Sequence, residues 1–208
     1  MLMDAKRVPM FRSEAGVTSG LKQVRFAYHL DNVRFVRFLK KLARWRQIEH
    51  LDAVIANVVT RRREDGEVEV GQLLTEDGQR LHFDFYIDCT GFRSLLLEQT
   101  LGSPFHSYGS SLYCDRAAVA NVPHDGTIKP YTRAETMNSG WCWNIPMVHE
   151  DHRGYVYSSA FCTQEEAVAE MRAKNPGMSD PWFVKFRSGR HEHFVRGNVA
   201  ALGNSYAF

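Results

Sequence analysis

The heptapeptide GWCWNIP at residues 140–146 alternates large apolar side chains with smaller ones, a pattern with a period of two. Successive side chains of a β-strand point to opposite faces, so Trp141, Trp143 and Ile145 share one face. Pro146 lacks the N–H that a central strand donates, and it therefore marks the end of the strand or an edge position. Two interpretations stay open at this point. The indoles either pack inside an ordinary core or form a rigid aromatic wall beside a ligand.

Two further runs end in glycine. The alternating run 81–88 (LHFDFYID) predicts one strand that leads into Cys-Thr-Gly91 and then an apolar helix over 92–101. The apolar run 195–202 leads into Gly203-Asn204. A strand followed by glycine brings backbone close to a phosphate, with the next helix pointing its N-terminus at it. The sequence contains neither GxGxxG nor GxxxxGK, and it stops on an apolar stretch, so we expect an internal piece of a nucleotide-binding enzyme.

Two segments have helical character. Residues 32–46 carry six Arg and Lys residues and no acid, set between apolar residues at helical spacing. They predict an amphipathic helix capped at Asp31 or Asn32. Such a helix could lie on a membrane or on nucleic acid. A surface helix packed on a sheet is favoured, because no second basic or aromatic nucleic-acid element accompanies it. A second helix is predicted over 164–174, where Thr163 and Glu166 have capping-box spacing.

Composition excludes several classes of protein. The 208 residues are 44% hydrophobic and 24% charged, as in ordinary globular chains. The four cysteines are widely spaced and form no CxxC pair, which predicts reduced thiols rather than a disulfide framework or a zinc site. His191-Glu192-His193 lacks further ligands nearby and is predicted to be an exposed strand end, so no metal is expected. No signal peptide or membrane span is evident, and we expect a cytoplasmic protein without membrane or nucleic-acid partners.

Three stretches together resemble the flavin-dependent tryptophan halogenases: DFYIDCTGFRSLL (84–96), PYTRAETMNSGWCWNIPM (130–147) and GNVAALGNSYAF (197–208). The resemblance covers roughly residues 24–208 in order and spacing. Its WxWxIP element is quite specific for halogenases and separates them from flavin hydroxylases of the same fold. The strands ending in DCTG and GN are less specific. The second usually ends in Gly-Asp, and Asn204 stands here in place of that aspartate.

The resemblance implies an α/β fold with a partial FAD-binding, hydroxylase-like (Rossmann-like) module and a β-sheet-rich substrate region. The partial FAD-binding module is expected at residues 1–102. Residues 103–190 are expected to form the β-rich substrate side that contains WxWxIP. The return strand of the FAD module, truncated, is expected at 191–208.

The same resemblance implies a chemistry. A separate flavin reductase, as a transient partner, supplies FAD in its reduced form, FADH2. Oxygen and chloride or bromide then give hypohalous acid, which halogenates tryptophan, indole or a similar electron-rich arene. The resemblance is also compatible with a homodimer of the full-length protein. The alternative is a flavin-dependent aromatic hydroxylase (monooxygenase), in which GWCWNIP is only sheet packing.

Site residues are carried over by the resemblance alone. Four form the active-site wall, namely Trp141, Trp143, Ile145 and Pro146. Four contact the cofactor: Ile55 on the adenosine side, Gly91 at a close approach of the backbone, and Gly203 and Asn204 at the flavin. The family's catalytic lysine and glutamate match no residue of this chain, and their positions would lie upstream and downstream of it. We therefore expect residues 1–208 alone neither to halogenate nor to bind FAD tightly.

Overall fold

Short strands bounded by turns make up most of the regular structure. The computed structural model describes residues 11–16, 18, 19, 27–124 and 126–208. The strands of the first half are β1 (Phe11–Arg12), β2 (Thr18–Ser19), β3 (Ile55–Arg62), β4 (Val68–Thr75), β5 (Arg80–Leu81), β6 (Tyr86–Asp88) and β7 (Phe105–Ser107). Those of the second half are β8 (Arg116–Pro123), β9 (Arg133–Met137), β10 (Gly140–Pro146), β11 (Glu150–Tyr157), β12 (Trp182–Lys185), β13 (Gly189–His191), β14 (Val195–Arg196) and β15 (Val199–Ala201).

The described residues divide into two compact units. The first unit comprises the described residues within Met1–Ile48 and Arg116–Lys185, and the second comprises Glu49–Asp115 and Phe186–Phe208. Each has its own buried apolar cluster. The expected assignment of residues 1–102 and 191–208 to the FAD-binding module, and of residues 103–190 to the substrate side, stays a prediction, because it concerns which ligand each segment binds.

The first unit is built on a five-stranded antiparallel sheet in the order β12-β8-β11-β10-β9. GWCWNIP forms β10, as its alternation predicts, and lies between β11 and β9. Its face with Cys142 is covered by the helix α2 (Gln164–Lys174), whose Ala167 and Met171 are buried in the same cluster as Tyr155. The predicted capping box is present: the Thr163 hydroxyl accepts from the Glu166 N–H, and the Glu166 carboxylate accepts from the Thr163 N–H. Only β9, β10 and β11 follow one another in sequence, whereas β12 pairs with β8 more than 50 residues away, so the strand order itself was not predicted.

The basic segment forms the helix α1 (Asn32–Trp45), and Asp31 caps it by accepting from the Arg34 N–H at 3.0 Å. Both the helix and its cap were predicted from the sequence. None of its residues is buried, and Phe38 and Trp45 are exposed. Among the described residues, no helix has the length and apolar character that crossing a bilayer requires.

The second unit contains three small sheets. They have the orders β3-β4-β5, β14-β15-β6 and β13-β7. Strands β6 and β15 pair in parallel, whereas β14 and β15 are antiparallel. The buried cluster joins Val70 of β4, Tyr86 of β6, Leu97 and Val199 of β15. A parallel pair beneath a short helical segment gives this unit its α/β character.

The single strand predicted over 81–88 is wrong. The structure divides it into β5 and β6, because local hydrogen bonds replace the ladder between them. His82 Nδ1 lies 2.6 Å from the carbonyl oxygen of Gly71, and the Phe83 N–H donates to the Tyr86 hydroxyl at 3.2 Å.

The single apolar helix predicted over 92–101 is wrong as well. It is a 3₁₀ turn at Gly91–Arg93 followed by a π-helical segment at Leu95–Thr100. Ser94 separates them with a left-handed φ of 41°. Its hydroxyl donates to the carbonyl oxygen of Ser205 at 2.7 Å. The two serines are 111 residues apart in sequence, so no local pattern predicts this contact.

Candidate functional site

The two glycine-ended runs meet at one edge of the second unit. In the parallel pair, Ala201 of β15 lies opposite Asp88 of β6. The pairing continues one step further, because the Leu202 N–H donates to the Asp88 carbonyl at 3.0 Å. The carboxyl ends of both strands therefore point the same way, and Gly91 and Gly203 follow them. In open α/β sheets, ligands bind outside the carboxyl ends of neighbouring parallel strands.

Both glycines have backbone that other residues rarely adopt. Gly91 has φ of 66° and Gly203 has φ of 59°, and a Cβ added at either position would meet no heavy atom within 4 Å. Glycine adopts this left-handed conformation without steric cost. The exposed Asn204 follows in a 3₁₀ turn, Gly203–Ser205. Open space above two adjacent glycines is a surface that a flat or charged ligand can approach closely.

Asp88 stabilises this edge, although it was not among the site residues predicted from the sequence. One carboxylate oxygen accepts from the Thr90 N–H and hydroxyl at 2.9 and 2.7 Å. The other accepts from the N–H groups of Leu96 and Leu97 at 2.8 and 3.0 Å. Burial by itself raises the pKa of Asp88, but these hydrogen bonds outweigh it and hold the pKa below its ordinary value. The ionised carboxylate therefore fixes where the chain turns after β6.

A second anchor joins the two turns. Ser94 and Ser205 are both buried, and the Ser94 hydroxyl reaches the Ser205 carbonyl. The Ser205 hydroxyl oxygen is itself buried and has no hydrogen-bond partner among the described residues. It is a polar atom beside the glycine edge that a ligand or water could satisfy.

Ile55 lies elsewhere in the same unit. It lines a cavity of about 350 Å³ together with further β3 residues and Leu95, Gln99 and Thr100. Gly91, Gly203 and Asn204 do not line this cavity. The structure thus brings the two glycines and Asn204 to one edge and leaves Ile55 at a separate cavity.

The tryptophan strand lies in the first unit, where one row of side chains runs across all five strands. Trp143 is opposite Ala134 of β9 on one side and Gly154 of β11 on the other. Gly154 is opposite Val119 of β8, which is opposite Trp182 of β12. Paired residues share a face of the sheet. The absent side chain at Gly154 makes room for the Trp143 ring, since a Cβ there would lie under 3.0 Å from three of its ring carbons.

Trp141 and Trp143 form one continuous aromatic surface. Their ring centroids are 6.1 Å apart at an interplanar angle of 58°. Trp141 is 44% exposed and Trp143 is half-buried, as is Ile145. Neither tryptophan belongs to the buried core of the first unit. These indoles are therefore not ordinary core packing in this chain.

Pro146 ends the strand, and His29 holds it there. His29 Nδ1 lies 2.8 Å from the Pro146 carbonyl oxygen, and Nε2 lies 3.1 Å from the Thr132 hydroxyl. The carbonyl can only accept, so Nδ1 carries a proton and donates to it. No local pattern predicts this contact, because the two residues are 117 positions apart in the chain.

A cavity of about 700 Å³ lies beside Pro146 within the first unit. Its lining includes Tyr28, Asn121, His152 and Trp182. His152 and Asn121 continue the sheet face of Ile145, because they are paired in register. The size falls within the range of small-molecule pockets.

His191 is buried rather than exposed, which corrects the prediction of a polar strand end. Its ring packs edge-on against Phe105, and its Nδ1 lies 3.3 Å from the Ser103 carbonyl oxygen. Glu192 and His193 are exposed. Within the described part of the chain, no three His, Cys, Asp or Glu side chains are grouped as metal ligands.

Parallel strands that end in left-handed glycines, together with a separate antiparallel sheet that carries paired indoles, define an α/β protein of the flavin-dependent halogenase fold. The family model for tryptophan halogenases matches residues 1–208, and the chain belongs to that family.

Individual relatives agree with this assignment. The tryptophan 7-halogenase RebH of Lentzea aerocolonigenes is 33% identical over 215 residues, which cover 100% of this chain and 39% of RebH. The crystal structure of MibH, a lathipeptide tryptophan 5-halogenase, has a TM-score of 0.88 and 54% identity over 100% of this chain and 39% of MibH. BrvH, a flavin-dependent halogenase from Brevundimonas sp. BAL3, has a TM-score of 0.86 and 31% identity over 100% of this chain and 42% of BrvH. The chain thus spans about two fifths of the length of these relatives.

Proposed function

We propose that the protein containing this chain is an FADH2-dependent halogenase that places chlorine or bromine on the indole ring of tryptophan. The observation that carries the proposal is the Trp141–Trp143 surface, held in one position by the fit of the Trp143 ring over Gly154. A fixed aromatic partition suits a reaction in which a small oxidant must travel while the larger substrate stays away from the flavin. The hydroxylase alternative has no need of such a partition, and the family assignment favours the halogenase.

The cofactor part of the proposal is supported by the glycine edge. Gly91, Gly203 and Asn204 would contact FAD where the backbone is open, with Ser205 offering an unpaired buried hydroxyl. Ile55, at its separate cavity, would serve the adenosine end. Bound and reduced, FAD supplies the electrons with which oxygen and halide form hypohalous acid. In this proposal residues 1–102 and 191–208 serve the flavin, and residues 103–190 serve the substrate.

The substrate part extends to the form in which tryptophan is presented. Identity to the lathipeptide tryptophan 5-halogenase MibH is 54%, against 33% to the tryptophan 7-halogenase RebH. We propose that this protein acts on a tryptophan within a peptide. A separate flavin reductase would supply FADH2, and the full-length protein would form a homodimer.

The test uses the full-length protein with a flavin reductase, FAD, oxygen and bromide. Free L-tryptophan and a peptide with an internal tryptophan are compared, and products are read by mass spectrometry. A brominated peptide in excess over brominated free tryptophan is the expected result. Bromination of free tryptophan alone would contradict the peptide assignment only, whereas hydroxylation without halogenation would contradict the halogenase.

The tryptophan surface is tested by Trp143→Ala, with Trp45→Ala on the exposed helix α1 as the matched control. Loss of the partition is expected to lower the brominated yield about tenfold or more, a factor that small misplacements in active sites commonly produce. Trp45→Ala should leave the yield unchanged. Equal brominated yields from both variants would show that Trp143 is not part of the active site.

A further inference from the structure

Another cavity of the first unit lies on the sheet face opposite the tryptophans. It has a volume of about 260 Å³ and sits under the segment that joins β8 to β9. Its lining comes from that segment and from the paired ends of β10 and β11, and it includes Lys129, Asn144, Asp151 and Arg153. At roughly 30 Å³ per water molecule, this volume has room for a molecule of several heavy atoms.

Two of the side chains that line this cavity each contain a buried polar atom without a hydrogen-bond partner among the described residues. Asn144 is 7% exposed, and its Oδ1 is buried without a hydrogen bond to any described residue. The same holds for Nε of Arg153, whose side chain is 15% exposed. The two residues are directly opposite in the β10–β11 register, so they lie side by side on one face. An acceptor and a charged donor left unpaired on two neighbouring side chains are costly unless a ligand or water satisfies them.

The charges around these atoms have two signs. Arg153 and Lys129 supply positive charge, and Asp151 supplies negative charge. Asp151 is 3.9 Å from the Arg153 Nη2, longer than a hydrogen bond, so this pair does not saturate either group. His124 is already occupied, because its Nε2 donates to the Met147 carbonyl and its Nδ1 accepts from the Gly126 N–H. Among the described residues that line the cavity, this leaves Arg153 and Lys129 for an anionic group and Asn144 and Asp151 as acceptors for a donor.

We propose that this cavity binds the charged backbone groups of a free α-amino acid. The α-carboxylate would accept from Arg153 Nε–H and lie near Lys129, and the α-ammonium would donate to Asn144 Oδ1 and face Asp151. A simple anion leaves the Asn144 oxygen unpaired, and a simple amine leaves the Arg153 N–H unpaired. The zwitterion satisfies both, and small side chains such as those of glycine and alanine fit the volume. This site is separate from the tryptophan surface and does not depend on the proposed function.

The experiment is a nuclear magnetic resonance titration of the nitrogen-15-labelled 208-residue chain, observing the Arg153 Nε–H signal directly. Glycine and L-alanine are the probes, and acetate, L-lactate, hydrogenphosphate and chloride are the comparison ligands. The Arg153 signal is expected to shift saturably with both amino acids and at least tenfold more weakly with acetate and chloride. Asn144→Leu, which removes the acceptor at similar volume, should weaken glycine binding at least tenfold.

Because Asn144 is buried, a second variant keeps the test independent of folding. Lys129→Gln lies in the connecting segment and should weaken glycine binding several-fold, while Lys185→Gln, exposed on β12, should leave it unchanged. Saturation by hydrogenphosphate or L-lactate as readily as by glycine would overturn the amino-acid assignment. A glycine titration without a saturable shift of the Arg153 signal would show that the cavity holds only water.

Discussion

Replacing Gly154 by alanine tests whether the Trp143 ring is held by the backbone of the neighbouring strand. The new methyl group would lie under 3.0 Å from Cζ2, Cη2 and Cε2 of the indole, a separation that real Cβ atoms do not show. The ring must therefore leave its position. Overpacking of this kind costs about 1–3 kcal/mol. Gly→Ala returns about 0.4–1 kcal/mol by restricting the unfolded chain, so the net loss should be about 1–2 kcal/mol.

The assay is a double-mutant cycle on the 208-residue chain, with urea unfolding followed by circular dichroism. In the Trp143→Ala background the clash is absent, and Gly154→Ala should be neutral or stabilising by up to about 1 kcal/mol. The coupling energy between the two positions should then be about 2 kcal/mol, within the range found for residues in contact.

Gly71→Ala on β4 is the matched control. The nearest atom to its added Cβ is the Val59 carbonyl oxygen at 3.3 Å, so a small shift accommodates it. We expect a change within about 1 kcal/mol and no coupling to Trp143. If Gly154→Ala lowered the free energy of unfolding equally with and without the indole, the proposed fit of the Trp143 ring over Gly154 would be refuted.

Four further predictions concern Asp88, the contact between Glu170 and Tyr155, the ionisation of Tyr155, and the cofactor. Asp88→Asn should cost about 1.5–3 kcal/mol in urea unfolding at pH 7, because an amide NH2 would face a backbone N–H. The lowered pKa of Asp88 contributes stability above its unfolded pKa that is lost as pH falls through the folded pKa, so the variant should lose less stability than wild type on acidification; equal acid slopes would contradict this. Glu170→Gln should cost about 1 kcal/mol, because Glu170 accepts from the Tyr155 hydroxyl and the Asn138 N–H, with exposed Glu165→Gln as a neutral control. Burial raises the pKa of Tyr155 to about 12, so stability should fall between pH 10 and 12 as the unfolded phenol ionises. FAD titration of the 208-residue chain, followed by flavin fluorescence, should show millimolar or weaker binding, because the sequence has no GxGxxG loop to neutralise the pyrophosphate; low-micromolar saturation would show that the cofactor site is misplaced.

The sequence alone determined those strands and helices whose side-chain pattern or capping residues lie within a few positions of one another. The alternation of GWCWNIP placed Trp141 and Trp143 on one face, as β10 has them. The capping box at Thr163 began α2 at Gln164, and Asp31 capped α1. These predictions succeed because side-chain periodicity and cap hydrogen bonds depend on the chain's own neighbours. The resemblance of three stretches to one family then carried the family assignment, which the comparisons confirm.

Tertiary structure alone decided how those elements meet. Pairing of β6 with β15 joins residues more than 100 positions apart and sets Gly91 beside Gly203. The same long-range contacts broke the helix predicted over 92–101 at Ser94, which is held to Ser205, and buried His191 against Phe105. Likewise the empty position at Gly154 that receives the Trp143 ring follows from the register of two strands. A sequence states which side chains a segment offers, but their partners depend on which distant strands close on each other, and that choice minimises the free energy of the whole unit rather than of any segment.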